Sequence, residues 1–155
     1  IVGIMQSLQE RENAPSSITF ETNGTQKLKD TTKEFLADME QEVFWSVSPK
    51  LWSVSGEKAA KAIKPENVAE YKETRNFGQL KFVVGHKDRE WEELDTVVKQ
   101  FRDVGVDWPV WIMPVGAREE EQVVTAGEVA KKAFQRGYNV AARVHVYLFG
   151  NAIGT

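Results

Sequence analysis

The 155-residue chain contains no cysteine and only two histidines, His86 and His145. Without cysteine it forms no disulfide and no thiolate zinc site, and it holds no iron–sulfur cluster through cysteine ligands. Two histidines are too few for a histidine-rich metal site, and His86 lies in a loop-like context where we expect it to be exposed to solvent. The lack of disulfides is typical of cytoplasmic proteins, and the cytoplasm is the localisation we predict.

Long hydrophobic runs and excess positive charge are also missing. No apolar run approaches the roughly 18 residues that a membrane-spanning helix needs, so we expect no membrane partner. The net charge is −3, which argues against a nucleic-acid-binding surface. Hydrophobic residues make up 41% of the chain, enough for a real core, and we interpret residues 1–155 as a single domain.

Strand-like and helix-like segments alternate along the chain. The predicted strands are residues 18–21, 43–48, 80–84, 110–114 and 141–149; the predicted helices are residues 1–8, 31–39, 56–63, 65–74, 88–104 and 118–136. Alternation of this kind favours an α/β fold in which parallel strands are joined by helical crossovers.

Polar side chains cluster where the first two predicted strands end. Glu21 and Asn23 lie two residues apart, so they project to the same side and offer one carboxylate and one amide to a polar heterocycle. Ser48 and Lys50 follow the second strand and suit a carboxylate or a phosphate. The structural alternatives are a turn at Asn23 that reverses the chain and an ordinary solvated turn at Lys50.

The third and last predicted strands also carry charge. Lys81 interrupts an apolar run, so it is either paired with an acid such as Glu21 or directed into the interior of a barrel. In residues 141–149, period-2 alternation predicts that Arg143 and His145 share one face. That face is either the solvated side of an edge strand or part of a binding site.

Five short motifs, taken in order, resemble the C-terminal two-thirds of the 7-carboxy-7-deazaguanine synthase family, which are radical S-adenosylmethionine enzymes. The motifs are Glu-Thr-Asn-Gly-Thr at 21–25, Val-Ser-Pro-Lys at 47–50, Gln-Leu-Lys-Phe-Val-Val at 79–84, Val-Trp-Ile-Met-Pro at 110–114 and Val-His-Val-Tyr-Leu at 144–148. Each motif alone is weak, but their order and spacing together span nearly the whole chain.

The resemblance implies a partial TIM-like barrel of parallel strands with helices outside, of the radical S-adenosylmethionine type. It also implies a carbon–nitrogen lyase of queuosine and 7-deazapurine biosynthesis, whose substrate is 6-carboxytetrahydropterin. In that family a 4Fe-4S cluster and S-adenosylmethionine generate the radical that starts a ring contraction with loss of ammonia, and Mg²⁺ is required. A flavodoxin-like electron donor and a homodimer are further expectations that the family brings.

The resemblance also assigns roles to individual side chains. Those expected to hold the pterin substrate are Glu21, Asn23, His145 and Arg143; those expected to hold S-adenosylmethionine are Ser48, Lys50 and Thr22. Two positions depart from the family pattern: Arg143 stands where some members have glutamine, and Val146 where many have lysine. The departures affect the details of substrate contact.

The parts of the family that bind the cluster and Mg²⁺ precede the matching region. We therefore expect this chain to be a cluster-less C-terminal portion, with no metal ligand and no catalytic residue of its own, and inactive alone. This interpretation requires cysteines upstream in the same reading frame. The alternatives are a non-catalytic nucleotide- or pterin-binding α/β module, and an α/β domain whose polar strand faces are buried against a partner.

Overall fold

A five-stranded, all-parallel sheet forms the centre of the molecule. The computed structural model describes residues 1–116 and 119–149, apart from the side chains of residues 119–122, 145 and 147. The strands are β1 (Ser17–Thr22), β2 (Glu42–Val47), β3 (Gly78–Val84), β4 (Val110–Pro114) and β5 (Asn139–Val140). Each pairs with the next along the chain, in the order β1-β2-β3-β4-β5. The predicted α/β fold is confirmed, and the sequential order is compatible with a partial TIM-like barrel.

Helices connect and flank the strands. They are α1 (Val2–Gln9), α2 (Asp30–Asp38), α3 (Trp52–Ser55), α4 (Ala59–Ala62), α5 (Pro65–Thr74), α6 (Asp88–Asp103), α7 (Glu119–Gln135) and α8 (Val144–Phe149). The helix predicted over residues 56–63 is longer than the one found, because only α4 is helical in that range. Helix α3 was not predicted. The predicted helix over 118–136 corresponds to α7, while residue 118 lies outside the described residues.

Period-2 alternation sorts the strand residues into two faces. On β3, Leu80, Phe82 and Val84 are completely buried, whereas the residues between them are half-buried. The buried face packs against α6, whose Trp91 and Leu94 are also inaccessible to solvent. The helix layer and this face of the sheet therefore enclose the core, and the other face carries the polar side chains.

Three aromatic rings stack at the β1 side of the core. The Trp45 ring lies between those of Phe20 and Tyr71, with centroid distances of 4.8 and 4.7 Å. The Tyr71 hydroxyl donates a hydrogen bond to the backbone oxygen of Gln26. The stack and this bond join α5 to the segment that follows β1, so α5 holds the end of β1 in place.

We expect Tyr71 to make folding sensitive to alkaline pH. Burial raises the pKa of its hydroxyl, so the folded state favours the protonated form. The resulting stability is complete below the unfolded pKa of about 10 and is lost as the pH rises through the folded pKa. Replacing Tyr71 with phenylalanine should remove this loss, while costing about 1 kcal/mol at neutral pH because Gln26 loses its donor.

Urea unfolding of both proteins at a series of pH values measures this effect. Burial also raises the pKa of Tyr138, but Tyr138 is common to both proteins, so the difference between their curves reports Tyr71. Curves that remain parallel above neutral pH would contradict the prediction.

The predicted strand over residues 141–149 was wrong. The strand is only β5, which pairs at Trp111 and Ile112 of β4, and Val144–Phe149 form α8. The predicted alternation also fails, because Val144 is exposed while Val146 is buried. The β-branched and aromatic residues favour a strand, but the chain leaves the sheet after residue 141, and tertiary context overrides that preference.

None of the helices in the described part of the chain is both long enough and apolar enough to cross a membrane.

Candidate functional site

A cavity of about 400 Å³ opens on the polar face of the sheet, at the carboxyl ends of the strands. Its lining residues come from β1, β2, β3, β4 and the segment after β5: Glu21, Thr22, Asn23, Ser46, Ser48, Lys50, Lys81, Val83, Met113 and Arg143. Six of the seven predicted site residues are among them. Parallel α/β sheets bind small molecules at this end, because their loops converge there.

Glu21 and Lys81 form the ion pair of the cavity. The Lys81 Nζ lies 3.5 Å from the Glu21 Oε1, and the side chains are 22% and 75% exposed respectively. Of the two alternatives for Lys81, the pairing with Glu21 is found, and Lys81 also lines the cavity. Between them in the sheet lies β2, where Ser46 and the residue that follows the strand, Ser48, line the cavity with small side chains.

The turn after β1 is built from its own side chains. The Thr22 Oγ1 accepts a hydrogen bond from the Gly24 N–H at 3.1 Å, and the Asn23 Oδ1 accepts one from the Thr25 N–H at 3.1 Å and another from its hydroxyl at 2.8 Å. The predicted turn at Asn23 is therefore found, although Asn23 also lines the cavity. With its oxygen engaged, Asn23 offers its amide NH₂ group to a ligand.

The floor of the cavity is hydroxyl-rich. Ser46 is buried, and its Oγ accepts a hydrogen bond from the Gln79 Nε2 at 3.0 Å. The Ser48 N–H donates to the Thr22 backbone oxygen at 2.7 Å, which extends the pairing of β1 and β2 beyond the strand and fixes the start of the Ser48–Lys50 segment. Ser48 and Lys50 then present a hydroxyl and an ammonium group at the rim, a combination that suits a carboxylate.

Arg143 closes the opposite side of the cavity. Its Nε lies 3.1 Å from the Met113 sulfur, and its Nη1 lies 3.5 Å from the Gly116 backbone oxygen. Both acceptors are neutral, so the positive charge of the half-buried guanidinium is not compensated by them. The lining residues comprise three cations, Lys50, Lys81 and Arg143, against the single carboxylate of Glu21, so the cavity favours an anionic ligand.

His86 is not among the residues that line this cavity, and the side chain of His145 lies outside the described residues. The backbone of His145 belongs to the first turn of α8, so His145 does not lie on a strand with Arg143. His86 is exposed, as predicted, and its backbone oxygen accepts a hydrogen bond from Lys132 at 2.7 Å. The predicted substrate contact of His145 therefore remains a prediction.

Sequence reasoning assigned no role to Val83 and Met113. Both face the cavity and provide its apolar wall. Their register supports this position, because Val83 pairs with Met113 across β3 and β4, two residues beyond the pair of Lys81 and Trp111. The signal in the sequence was present, since Val83 follows Lys81 at a spacing of two residues.

The described residues contain no group of three or more His, Asp or Glu side chains that could hold a metal ion. A 4Fe-4S cluster does not fit the chain, which has no cysteine to ligate it. Ser48 and Lys50, in contrast, fit the carboxylate of an amino-acid-like ligand.

No protein-family model, curated protein or solved structure matches the chain.

Proposed function

We propose that this chain is the substrate-binding and S-adenosylmethionine-binding C-terminal portion of a protein similar to 7-carboxy-7-deazaguanine synthase. The observation that carries the proposal is convergence. Motif residues from 21–25 and 47–50, together with Arg143, line one cavity although they are far apart in sequence. Lys81 and Met113, which belong to two further motifs, line it as well.

The chemistry of the lining suits the two ligands of that family. A pterin has a polar edge of ring N–H, amino and oxo groups, for which Glu21 supplies an acceptor and Asn23 a donor. The substrate and S-adenosylmethionine each carry a carboxylate, and the excess of cations in the cavity favours both. Val83 and Met113 offer an apolar surface for a flat heterocycle.

The residues of this chain would bind and orient the ligands. Ser48 and Lys50 would hold the carboxylate of S-adenosylmethionine, with Thr22 shaping the turn beside it through its bond to Gly24. Glu21, Asn23, Arg143 and His145 would hold the pterin. Bound S-adenosylmethionine supplies, in such enzymes, a radical that abstracts a substrate hydrogen. No step of that chemistry can be assigned to this chain, because its residues do not fit the cluster.

Substitution of Lys50 tests the proposal. We expect the protein to bind S-adenosylmethionine. The Lys50→Met variant should bind it at least about tenfold more weakly, because a charge-assisted hydrogen bond is lost. Isothermal titration calorimetry measures both affinities. Lys61→Met is the matched control, because Lys61 is exposed on α4, away from the cavity, and its loss should leave the affinity unchanged.

A second function is favoured by one observation, the absence of cysteine. The chain would then belong to a non-catalytic α/β module that binds a nucleotide or a pterin without radical chemistry. Such a module would bind 6-carboxypterin, the stable oxidised form of the substrate, but would show no affinity for S-adenosylmethionine. Failure of the wild-type protein to bind either compound would defeat the proposed function and the pterin-binding form of the second function.

A further inference from the structure

We propose that Glu21 and Lys81 act together to read the 2-amino-4-oxo edge of the ligand, and that Lys81 is the residue that selects an oxo group over an amino group at ring position 4. The inference rests on the proposed function, since it takes a pterin as the ligand. It adds a specificity-determining residue, Lys81, and the chemical feature that this residue recognises.

The first observation is the position of the pair within the sheet. Glu21 and Lys81 lie on β1 and β3, so β2 separates them, and their charged ends approach each other above its serines. Larger side chains at Ser46 and Ser48 would fill the space over β2. The small hydroxyls leave room for a planar ring against the charged ends.

The second observation is the distance. The Lys81 Nζ and the Glu21 Oε1 are 3.5 Å apart, at the upper limit of a hydrogen bond. On the edge of a pterin, the ring N–H at position 3 lies directly beside the oxo group at position 4. Two side chains that each form a hydrogen bond of about 2.9 Å to these adjacent groups must themselves lie close together, as this pair does.

The third observation is the chemical type of each partner. A carboxylate only accepts hydrogen bonds, so Glu21 matches the N–H at position 3 and the amino group at position 2. An ammonium group only donates, so Lys81 matches the oxo group at position 4. An amino group at position 4 would direct its hydrogens at the Lys81 ammonium, whose side chain is 22% exposed, and two donors would then face each other without an acceptor between them.

The experiment compares two ligands that differ in the group at position 4 and, with it, in the hydrogen on N3. 6-Carboxypterin and 2,4-diaminopteridine-6-carboxylic acid share the ring system and the carboxylate, and both are fluorescent. Titration of the wild-type chain near neutral pH should give a preference of about tenfold to a hundredfold for the oxo compound, the range that a hydrogen bond to a charged group contributes. In Lys81→Met this preference should fall severalfold, and the part that remains is due to Glu21, because the diamino compound has no N–H at position 3.

Two further variants keep the test decisive. Lys81→Gln carries an amide that can accept as well as donate, so it should bind the diamino compound at least as well as the wild type does. Lys61→Met, on the exposed surface of α4, should keep the wild-type preference. Thermal unfolding of each variant establishes that it is folded, and the glutamine variant replaces the methionine variant if that one fails to fold.

The outcomes separate this inference from the proposed function. If the wild type binds 6-carboxypterin but both Lys81 variants keep its preference, or if the wild type shows no preference, Lys81 does not read position 4 and the pterin function stands. The ion pair would then be an ordinary surface pair of little energetic weight. If the wild type binds neither compound, the inference and the proposed function both fail.

Discussion

Replacing Trp91 with alanine is expected to lower the free energy of unfolding by about 3–5 kcal/mol. Trp91 lies on α6 and is 1% exposed, so its ring is among the largest groups in the core. Its Nε1 donates a hydrogen bond to the Gly85 backbone oxygen at 2.9 Å, which fixes the end of β3. The Arg136 guanidinium lies 4.9 Å from the centre of the ring and is held there by Asp95. Truncation removes the hydrogen bond to Gly85 and the contact of the ring with Arg136, and it leaves a cavity.

Urea unfolding of the wild type and the variant measures the loss. Trp52→Ala is the matched control, because the same side chain is removed from a position that is 52% exposed, where the cost should stay below about 1 kcal/mol. Natural domains are stable by only about 5–15 kcal/mol, so Trp91→Ala should lose a large fraction of the total. Equal losses in the two variants would show that Trp91 does not organise the core.

Replacing Gly24 with alanine is expected to cost about 2–5 kcal/mol and to weaken ligand binding as well. Gly24 has a φ of 78°, a conformation that costs other residues roughly 1–2 kcal/mol. Its backbone also lies against the core, and an added Cβ would come within 2.9 Å of Val47 and 3.0 Å of Val68. Crowding of this kind commonly costs a further 1–3 kcal/mol or so. Relief of the crowding must move the turn, and with it Glu21 and Asn23.

Gly105→Ala separates the two contributions. Gly105 has a similar φ of 85°, but an added Cβ there would meet nothing within 4 Å, and the residue lies toward the amino end of β4, away from the cavity. It should therefore lose only the conformational part and keep wild-type affinity for 6-carboxypterin. Urea unfolding and pterin fluorescence report the two effects. Equal stability losses at Gly24 and Gly105 would mean that the core yields to the added methyl group.

The fold class could be predicted because the local signals agree with the final structure. Alternation on β3, a buried stripe along α6 and the glycine after α6 each indicate the element that is found. The end of the chain could not be predicted in the same way. Its β-branched and aromatic residues favour a strand, yet β5 has only two paired residues before the chain leaves the sheet and forms α8. Whether a strand continues depends on a partner strand, which the local sequence does not reveal.

The candidate site could be predicted in part. Residues close to a strand end, such as Glu21 and Lys50, could be placed because parallel strands bring their carboxyl ends together. The pairing of Glu21 with Lys81 was one of two alternatives, because it depends on side chains reaching across β2. The same applies to Met113, whose contact with Arg143 links two segments 30 residues apart. The resemblance to a known family, and not the strand pattern, assigned the ligands.

The order of the strands also bears on how the protein is made. Each strand from β2 to β5 pairs with the strand that precedes it in the chain. No strand therefore has to be inserted between two strands that have already paired. During synthesis, each new strand can therefore dock on the exposed edge of the sheet already formed, in the order in which the ribosome releases it. The cavity is completed late in this process, because Arg143 emerges after every strand that supplies its other walls. A chain that has emerged only as far as residue 142 would have all five strands but an unfinished binding site.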